Sequence, residues 1–404
     1  MKKIYKNTGI LFFAQVVSYL IPILEIPILA KSLGAVQFGT VVLIQASASL
    51  LSMVVEYGFS LSASRQVAVS INDKKNIRDI YGGVTSAKLI LTCIISFTIL
   101  LLFVFFDIDI DYFHLIWGGI YFLAFSFSSF WLFQGLEKIA RVVIMEVVLR
   151  FVGLLFLFLL INTPADTEKA LMIMSLFALL NTALCFGMAI KLVGLFSLDF
   201  NRGFLYVKDG FHGFIYKSSN NIMLSAGPAL VGFLCGQASL AKFVPADKII
   251  KASTGLIGPV LIGIYPALSR RLMLSKEINL RASWVIVCLL FFMGVVGATV
   301  IYYLGDFLIV NLLGSEYLEA VSVLRVFVLI VPFRIMNQAI GLTIFMPLAK
   351  DKILSFLLIF FSLLALVISA VLSIWFGLVG VISGFVLSEI LFSMMLILLA
   401  LRIR

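Results

Sequence analysis

Apolar runs of about 20 residues, separated by short polar connectors, recur from one end of this chain to the other. A helix that crosses a bilayer needs about 20 mostly apolar residues. Residues 8–30, 39–57, 81–106, 113–134, 143–161 and 169–190 meet that requirement in the first half of the chain. Residues 213–235, 242–265, 282–304, 319–345, 353–374 and 379–401 meet it in the second. The pattern predicts an all-α polytopic membrane protein with about 12 transmembrane helices. The run from Thr8 to Ala30 follows two lysines, as a secretion signal would, but it is too long for the apolar part of one and reads as the first span. The longest polar stretches, Ser60–Ile80 and Lys191–His212, are too short to fold alone, so no separate catalytic domain is expected.

Composition agrees with this pattern. Hydrophobic residues make up 62% of the chain and charged residues 12%, against about 25% charged in soluble domains. A formal charge of +10 would suit a nucleic-acid partner if it formed a patch. It is instead sorted between alternate connectors. About 20 Lys and Arg lie on one side, among them Lys2, Arg65, Lys75, Arg141, Arg202, Arg271, Lys276 and Lys352. The other side has only Lys31, Lys169 and Lys242, with the acids Asp107, Asp109, Asp111, Asp166, Glu168, Asp306, Glu316 and Glu319. Positive charge marks the cytoplasmic side. The asymmetry therefore predicts cytoplasmic termini, an even number of spans, a lipid bilayer as surroundings and no nucleic acid.

The chain also divides into two lobes of six spans, 1–200 and 201–404, joined by Lys191–His212. Each half opens with a proline-interrupted helix, through Pro22 and Pro27 in the first and Pro228 in the second. Each opening span runs into a related turn, Gly34-x-x-x-Phe38-Gly39 and Gly236-x-x-x-Leu240-Ala241. Same-direction repeats of this kind occur in transporters that bind substrate between the halves.

No enzyme motif is present. There is no glycine-rich phosphate loop with its Lys-Ser/Thr pair, and His114 and His212 have no ligand partners nearby in sequence. Cys93, Cys185, Cys235 and Cys288 lie in or at the edge of apolar spans and read as small hydrophobes. No cofactor, metal or disulfide is expected, which leaves transport. The informative residues are the ionisable groups within spans: Glu25, Glu56, Lys88, Glu146, Arg150, Lys217, Asp247, Lys248, Lys251, Arg325, Arg334 and Glu389. Each charge at the bilayer centre costs about 2.5–3.5 kcal/mol on insertion scales, so such residues face the bundle interior or a polar path.

Two roles follow from spacing. Lys248 and Lys251 are three apart on one helix face, with Asp247 beside it, and Arg334 follows Pro332 in an interrupted span. With Lys88 and Arg150 they are candidates for a cationic substrate site, since Arg grips phosphate through a planar fork and Lys acts as a point charge. Arg150 also stands four residues after Glu146 and can pair with it on the same helix. Glu25, held between Pro22 and Pro27, is a candidate for coupling transport to an ion gradient, as are Glu56 and Asp247.

A set of short motifs adds a family resemblance. They are Pro22-x4-Pro27 through Leu33-Gly34 and Phe38-Gly39, Glu56-Tyr57-Gly58-Phe59 with Ala63-x-Arg65, and Trp131-Leu132-Phe133-Gln134-Gly135-Leu136-Glu137. Ala246-Asp247-Lys248-Ile249, Tyr265-Pro266-Ala267-Leu268-Ser269 and Leu313-Gly314-Ser315-Glu316-Tyr317 follow in the second half. In this order the chain resembles the polysaccharide transporters of the multidrug/oligosaccharidyl-lipid/polysaccharide flippase superfamily, especially O-antigen flippases of the Wzx type. The resemblance implies two six-helix lobes around a central cavity, in the bacterial inner membrane. It also implies a substrate, an undecaprenyl-pyrophosphate-linked sugar repeat unit carried from the cytoplasmic to the periplasmic leaflet for lipopolysaccharide biosynthesis. Implied partners are a polysaccharide polymerase and a chain-length regulator. A drug exporter of the same superfamily, or of another lipid-linked oligosaccharide, would share the fold, but the excess of intramembrane Lys and Arg disfavours a cationic drug. A polymerase would call for a large periplasmic loop, which the sequence lacks.

Overall fold

The computed structural model describes the backbone of residues 2–106, 111–255, 257–258, 261, 280–314, 317–348 and 350–402. Side chains are described there except at 2–19, 61, 103, 106, 209–225, 312 and 351. The Tyr265–Ser269 motif, Asp107, Asp109, Arg270, Arg271, Lys276 and Glu316 lie outside the described residues, as does the side chain of Lys217.

Among the described residues all regular structure is helical. The first half comprises α1 (Lys2–Glu56), α2 (Phe59–Val69), α3 (Lys74–Phe106), α4 (Tyr112–Ser126), α5 (Phe130–Gly135), α6 (Ile139–Leu160) and α7 (Thr167–Val193). The second comprises α8 (Phe200–Cys235), α9 (Gln237–Gly255), α10 (Arg281–Leu313), α11 (Leu318–Phe327), α12 (Ile330–Ile340) and α13 (Asp351–Leu401). Helices α1 and α13 are double-length, and each is broken by a glycine with positive φ, Gly34 at 75° and Gly377 at 54°. Only glycine reaches such a conformation without a Cβ penalty. Among the described residues seven helices are long and apolar enough to cross a membrane, α4 with α5 counting as one. Dividing α1 and α13 and adding α8, α9 and the α11–α12 pair gives twelve passages in the order the sequence predicts.

The outward surface explains how so apolar a chain folds. Phe97, Phe158, Phe292, Phe356 and Trp375 are each more than 60% exposed. A water-soluble protein does not show apolar side chains on this scale; here they form the lipid-facing surface of the spans. Proline behaves as the medium allows. α1 continues through Pro22 and Pro27, and its non-helical residue is Gly34, one turn or more further on.

The helices cluster into two compact units. One contains the residues up to Val17 together with Thr40–Ser218; the other contains Ser18–Gly39 and Ser219–Arg404. The core of the first unit is built around Trp131, Tyr81, Phe59 and Phe133, all at most 2% exposed. Tyr81 stacks on Trp131 at 5.8 Å between centroids, and its hydroxyl meets Ser129 Oγ at 2.7 Å. Gly135 closes the same core from α5. A Cβ there would come within 2.6 Å of the Ser64 carbonyl oxygen on α2, so the glycine of the motif is a requirement of close helix approach. Helix α2 was not expected from the polar stretch Ser60–Ile80. It forms because Phe59, Ala63 and Val67 recur every four residues and bury one face, while Arg65 and Gln66 stay exposed.

In the second unit, Ser18–Gly39 is held by its end. Tyr317 Oη donates to the Ala30 carbonyl at 3.2 Å, and Gly39 lies so close to Gln237 that a Cβ would come within 2.0 Å of its carbonyl oxygen. Gly236, which the sequence pairs with Gly34, has the same left-handed backbone, with φ 82°.

A candidate site of charged residues within the second unit

Helix α9 is the least lipid-like passage of the chain, carrying Lys242, Asp247, Lys248 and Lys251 in 19 residues. Such a helix is stable in a membrane only where other helices shield it. Two contacts dock it against α11. Lys242 forms an ion pair with Glu319, and Phe243 stacks on Phe327 with centroids 5.4 Å apart. Asp247, Ala246 and Ile250 are buried on the packed face.

One turn beyond Asp247, Lys251 Nζ donates to Asp247 Oδ2 at 2.5 Å. The i,i+4 spacing makes this contact geometrically natural. The two side chains are 20% and 6% exposed. Asp247 thus binds Lys251, where the sequence placed it beside the Lys248 and Lys251 face as a partial offset. Lys248 is half-buried, and both it and Arg334 lie close enough to Lys251 for their charges to act on it.

Arg334 comes from α12, whose geometry depends on a break. The tenth passage stops at Phe327 and restarts at Ile330. This leaves Pro332 in the first turn of α12, where its missing N–H is harmless. Gly294 on α10 allows the close approach, since a Cβ there would come within 2.9 Å of Pro332 Cα. Arg334 is 8% exposed and stands 3.6 Å from Glu389 on α13. Asn337 Nδ2 donates to Glu389 Oε1 at 2.9 Å, linking α12 to the same carboxylate. Glu389 Oε2 and Asn337 Oδ1 are buried and accept no hydrogen bond from any described residue. Both are acceptors, so only a hydrogen-bond donor satisfies them further.

The second unit therefore gathers Asp247, Lys248, Lys251, Arg334 and Glu389 into one charged cluster. Sequence reasoning named all five but could not pair Arg334 with Glu389, 55 positions apart, and it missed Asn337, which carries no charge.

The remaining candidates lie elsewhere. Lys88 is 3% exposed on α3, and its Nζ donates to the Ser128 carbonyl at 2.9 Å. That carbonyl is free because the fourth passage is interrupted between Ser126 and Phe130, a break no proline or glycine announces. Arg150 pairs with Glu146 at 2.6 Å along α6 and is about one-third exposed. Lys88, Arg150 and Glu56 belong to the first unit, whereas Glu25, half-buried in α1, belongs to the second. Arg325 pairs with Asp306 at 2.9 Å. Among the described residues no group of His, Cys, Asp and Glu could hold a metal.

Among the described residues, twelve helical passages, two glycine-broken double helices and charges buried within spans define a polytopic all-helical membrane fold. Solved structures share it. An inward-facing multidrug resistance MATE transporter of the MOP superfamily aligns over 95% of this chain and 93% of its own, with TM-score 0.70 and 15% identity. The lipid II flippase MurJ aligns over 98% and 87%, with TM-score 0.75 and 14% identity. The model of the polysaccharide biosynthesis protein family matches residues 4–272, well over half the chain, and the protein belongs to that family. Two curated relatives carry the name "Putative O-antigen transporter". The one from Shigella dysenteriae is 26% identical, covering 96% of this chain and 97% of its own. The one from Escherichia coli K12 is 27% identical, covering 93% and 91%.

Proposed function

We propose that this protein is a flippase that moves an undecaprenyl-pyrophosphate-linked O-antigen unit from the cytoplasmic to the periplasmic leaflet of the bacterial inner membrane, by alternating access. Both termini are cytoplasmic in this reading, and the halves 1–200 and 201–404 act as the two repeats. The protein catalyses no covalent chemistry. The family match, the names of the two relatives and the flippase fold support the class of cargo.

The observation that carries the reading is the charged cluster around Lys248, Lys251 and Arg334, three cations with the acids Asp247 and Glu389 among them. A pyrophosphate headgroup is the kind of polyanion such cations bind. Lys251 can exchange the Asp247 carboxylate for a phosphate oxygen. Arg334 offers a planar fork, held at 3.6 Å from Glu389 Oε2. Lys88 and Arg150 are further candidates for substrate contact, and Glu25, Glu56 and Asp247 are the ion-coupling candidates. The polysaccharide polymerase and chain-length regulator act on the delivered product.

The test is complementation. Deleting the gene in its host should abolish long-chain lipopolysaccharide banding, and the wild-type gene should restore it. Normal banding in the deletion strain, with no related gene present, would refute the reading.

A further inference from the structure

The first unit has a polar site of its own. A cavity of about 740 Å3 opens at its basic end, among residues from α2, α3 and α8 that include Arg65, Gln66, Val69, Asn76, Arg202 and Tyr206. Its volume is typical of small-ligand sites, which run from about 300 to 1,000 Å3.

The walls are built tightly. Tyr206 Oη donates to Gln66 Oε1 at 2.9 Å, joining α8 to α2. Gly83 on α3 seats the Tyr206 ring, since a Cβ there would come within 2.7 Å of it, and the Asp199 N–H donates to Ser86 Oγ at 2.9 Å. Arg202 is held between Asp79 at 3.2 Å and Asp199 at 3.4 Å, so two carboxylates already answer its charge. Arg65 differs. It is exposed, and no carboxylate among the described residues pairs with it. Gln66, having accepted from Tyr206, keeps an amide NH2 with no acceptor among the described residues. The lining thus presents one uncompensated guanidinium and further N–H donors, a set matched to one phosphate.

Apolar side chains stand exposed beside these donors. Val69 is 83% exposed and Leu205 55%, with Phe204 at 64% next to it. A soluble anion needs no such surface; acyl chains do. The basic connectors Lys74, Lys75, Arg78 and Lys208 place this end of the unit at the edge of the membrane.

We propose that this cavity binds the phosphodiester headgroup of an anionic glycerophospholipid. The phosphate lies on Arg65 and the Gln66 amide, and the chains lie along Val69 and Leu205. One negative charge on a phosphodiester equals the one positive charge that the lining leaves unanswered. The proposal stands on this chemistry alone and holds whatever cargo the protein moves.

The experiment is a titration of the purified full chain in neutral detergent, followed by native mass spectrometry and thermal unfolding. The probes are short-chain phosphatidylglycerol, short-chain phosphatidylcholine and inorganic phosphate. Phosphatidylglycerol should bind and raise the melting temperature, whereas phosphatidylcholine and inorganic phosphate should bind at least tenfold more weakly. Arg65→Gln should weaken phosphatidylglycerol about tenfold, the effect of losing one charge-assisted contact, and Arg65→Lys should recover part of it. Gln66→Glu keeps an acceptor for Tyr206 but adds a negative charge, and should abolish binding. It serves as an independent variant should Arg65→Gln fold poorly. Equal binding of phosphatidylglycerol and phosphatidylcholine overturns the headgroup assignment. Inorganic phosphate binding as tightly as the lipid overturns the lipid. Parental affinity in either folded variant overturns the site.

Discussion

Arg334 on α12 and Glu389 on α13 face each other at 3.6 Å with side chains 9% and 4% exposed, a charge pair deep inside the second unit. Glu389 also receives Asn337 Nδ2 at 2.9 Å, so its carboxylate ties two passages together. Removing one member of a buried pair leaves the other uncompensated, which costs about 3–5 kcal/mol. Glu389→Ala is therefore expected to lower the melting temperature of the detergent-purified protein by several degrees. Glu389→Gln should lose less, because its amide still meets Asn337. Identical unfolding curves for the parent and Glu389→Ala would show that the pair contributes nothing to the fold.

Lys251 and Asp247 allow stability to be separated from function. Lys251→Ala should impair surface polysaccharide and also destabilise the protein, because Asp247 stays buried alone. Adding Asp247→Ala should restore membrane abundance without restoring polysaccharide. The readouts are immunoblots of membrane fractions and lipopolysaccharide gels. Recovery of both abundance and polysaccharide in the double variant would assign the pair a purely structural role.

Packing gives a prediction that needs no assumption about transport. Gly39→Ala puts a Cβ within 2.0 Å of the Gln237 carbonyl oxygen, which neither backbone can avoid without moving. Overpacking of this kind typically costs about 1–3 kcal/mol. Gly119→Ala, where a Cβ meets nothing within 4 Å, is the control. Fluorescence-detected gel filtration after heating should show early loss of Gly39→Ala alone. Equal heat resistance in the two variants would contradict the close approach.

The charge asymmetry predicts the orientation. In a variant lacking Cys93, Cys185, Cys235 and Cys288, single cysteines at Asp109 and Asp166 should react with an impermeant thiol reagent in cells with a permeabilised outer membrane. Cysteines at Lys75 and Lys276 should not. Labelling of the second pair would reverse the assigned topology.

Glu25→Gln preserves hydrogen bonding but cannot ionise. If Glu25 couples transport to protons, this variant should lose its response to an imposed pH gradient in proteoliposomes, while Glu25→Asp keeps part of it. A Gln variant that responds like the parent would leave coupling to Glu56 or Asp247.

Much of the fold was legible in the sequence, because lipid makes span length and connector charge the dominant signals. The paired turns at Gly34 and Gly236 were visible for the same reason that they exist, since both need positive φ. Three features were not legible. The break between Ser126 and Phe130 sits in a Phe-Ser-Ser stretch with no helix breaker, and it is stabilised from outside by Lys88 and Tyr81. The grouping of Ser18–Gly39 with the second unit is accompanied by long-range contacts such as Tyr317–Ala30, 287 residues apart in the chain. At the charged site the residue types were legible, but the sequence set Asp247 beside the Lys248 and Lys251 face without pairing it with Lys251. Long-range partners such as Glu389 for Arg334 carry no local signal.

In the proposed mechanism the cations of α9 and α12 handle the phosphates of the cargo. The most direct test is the transfer rate of a labelled undecaprenyl-pyrophosphate oligosaccharide across proteoliposomes, for the parent, for Lys251→Ala with Asp247→Ala, and for Arg334→Lys. At equal reconstitution the first variant should fall at least tenfold, about 1.4 kcal/mol of lost interaction. Arg334→Lys should retain partial activity, because the charge survives and the planar fork does not. Parental rates in the first variant would contradict the account.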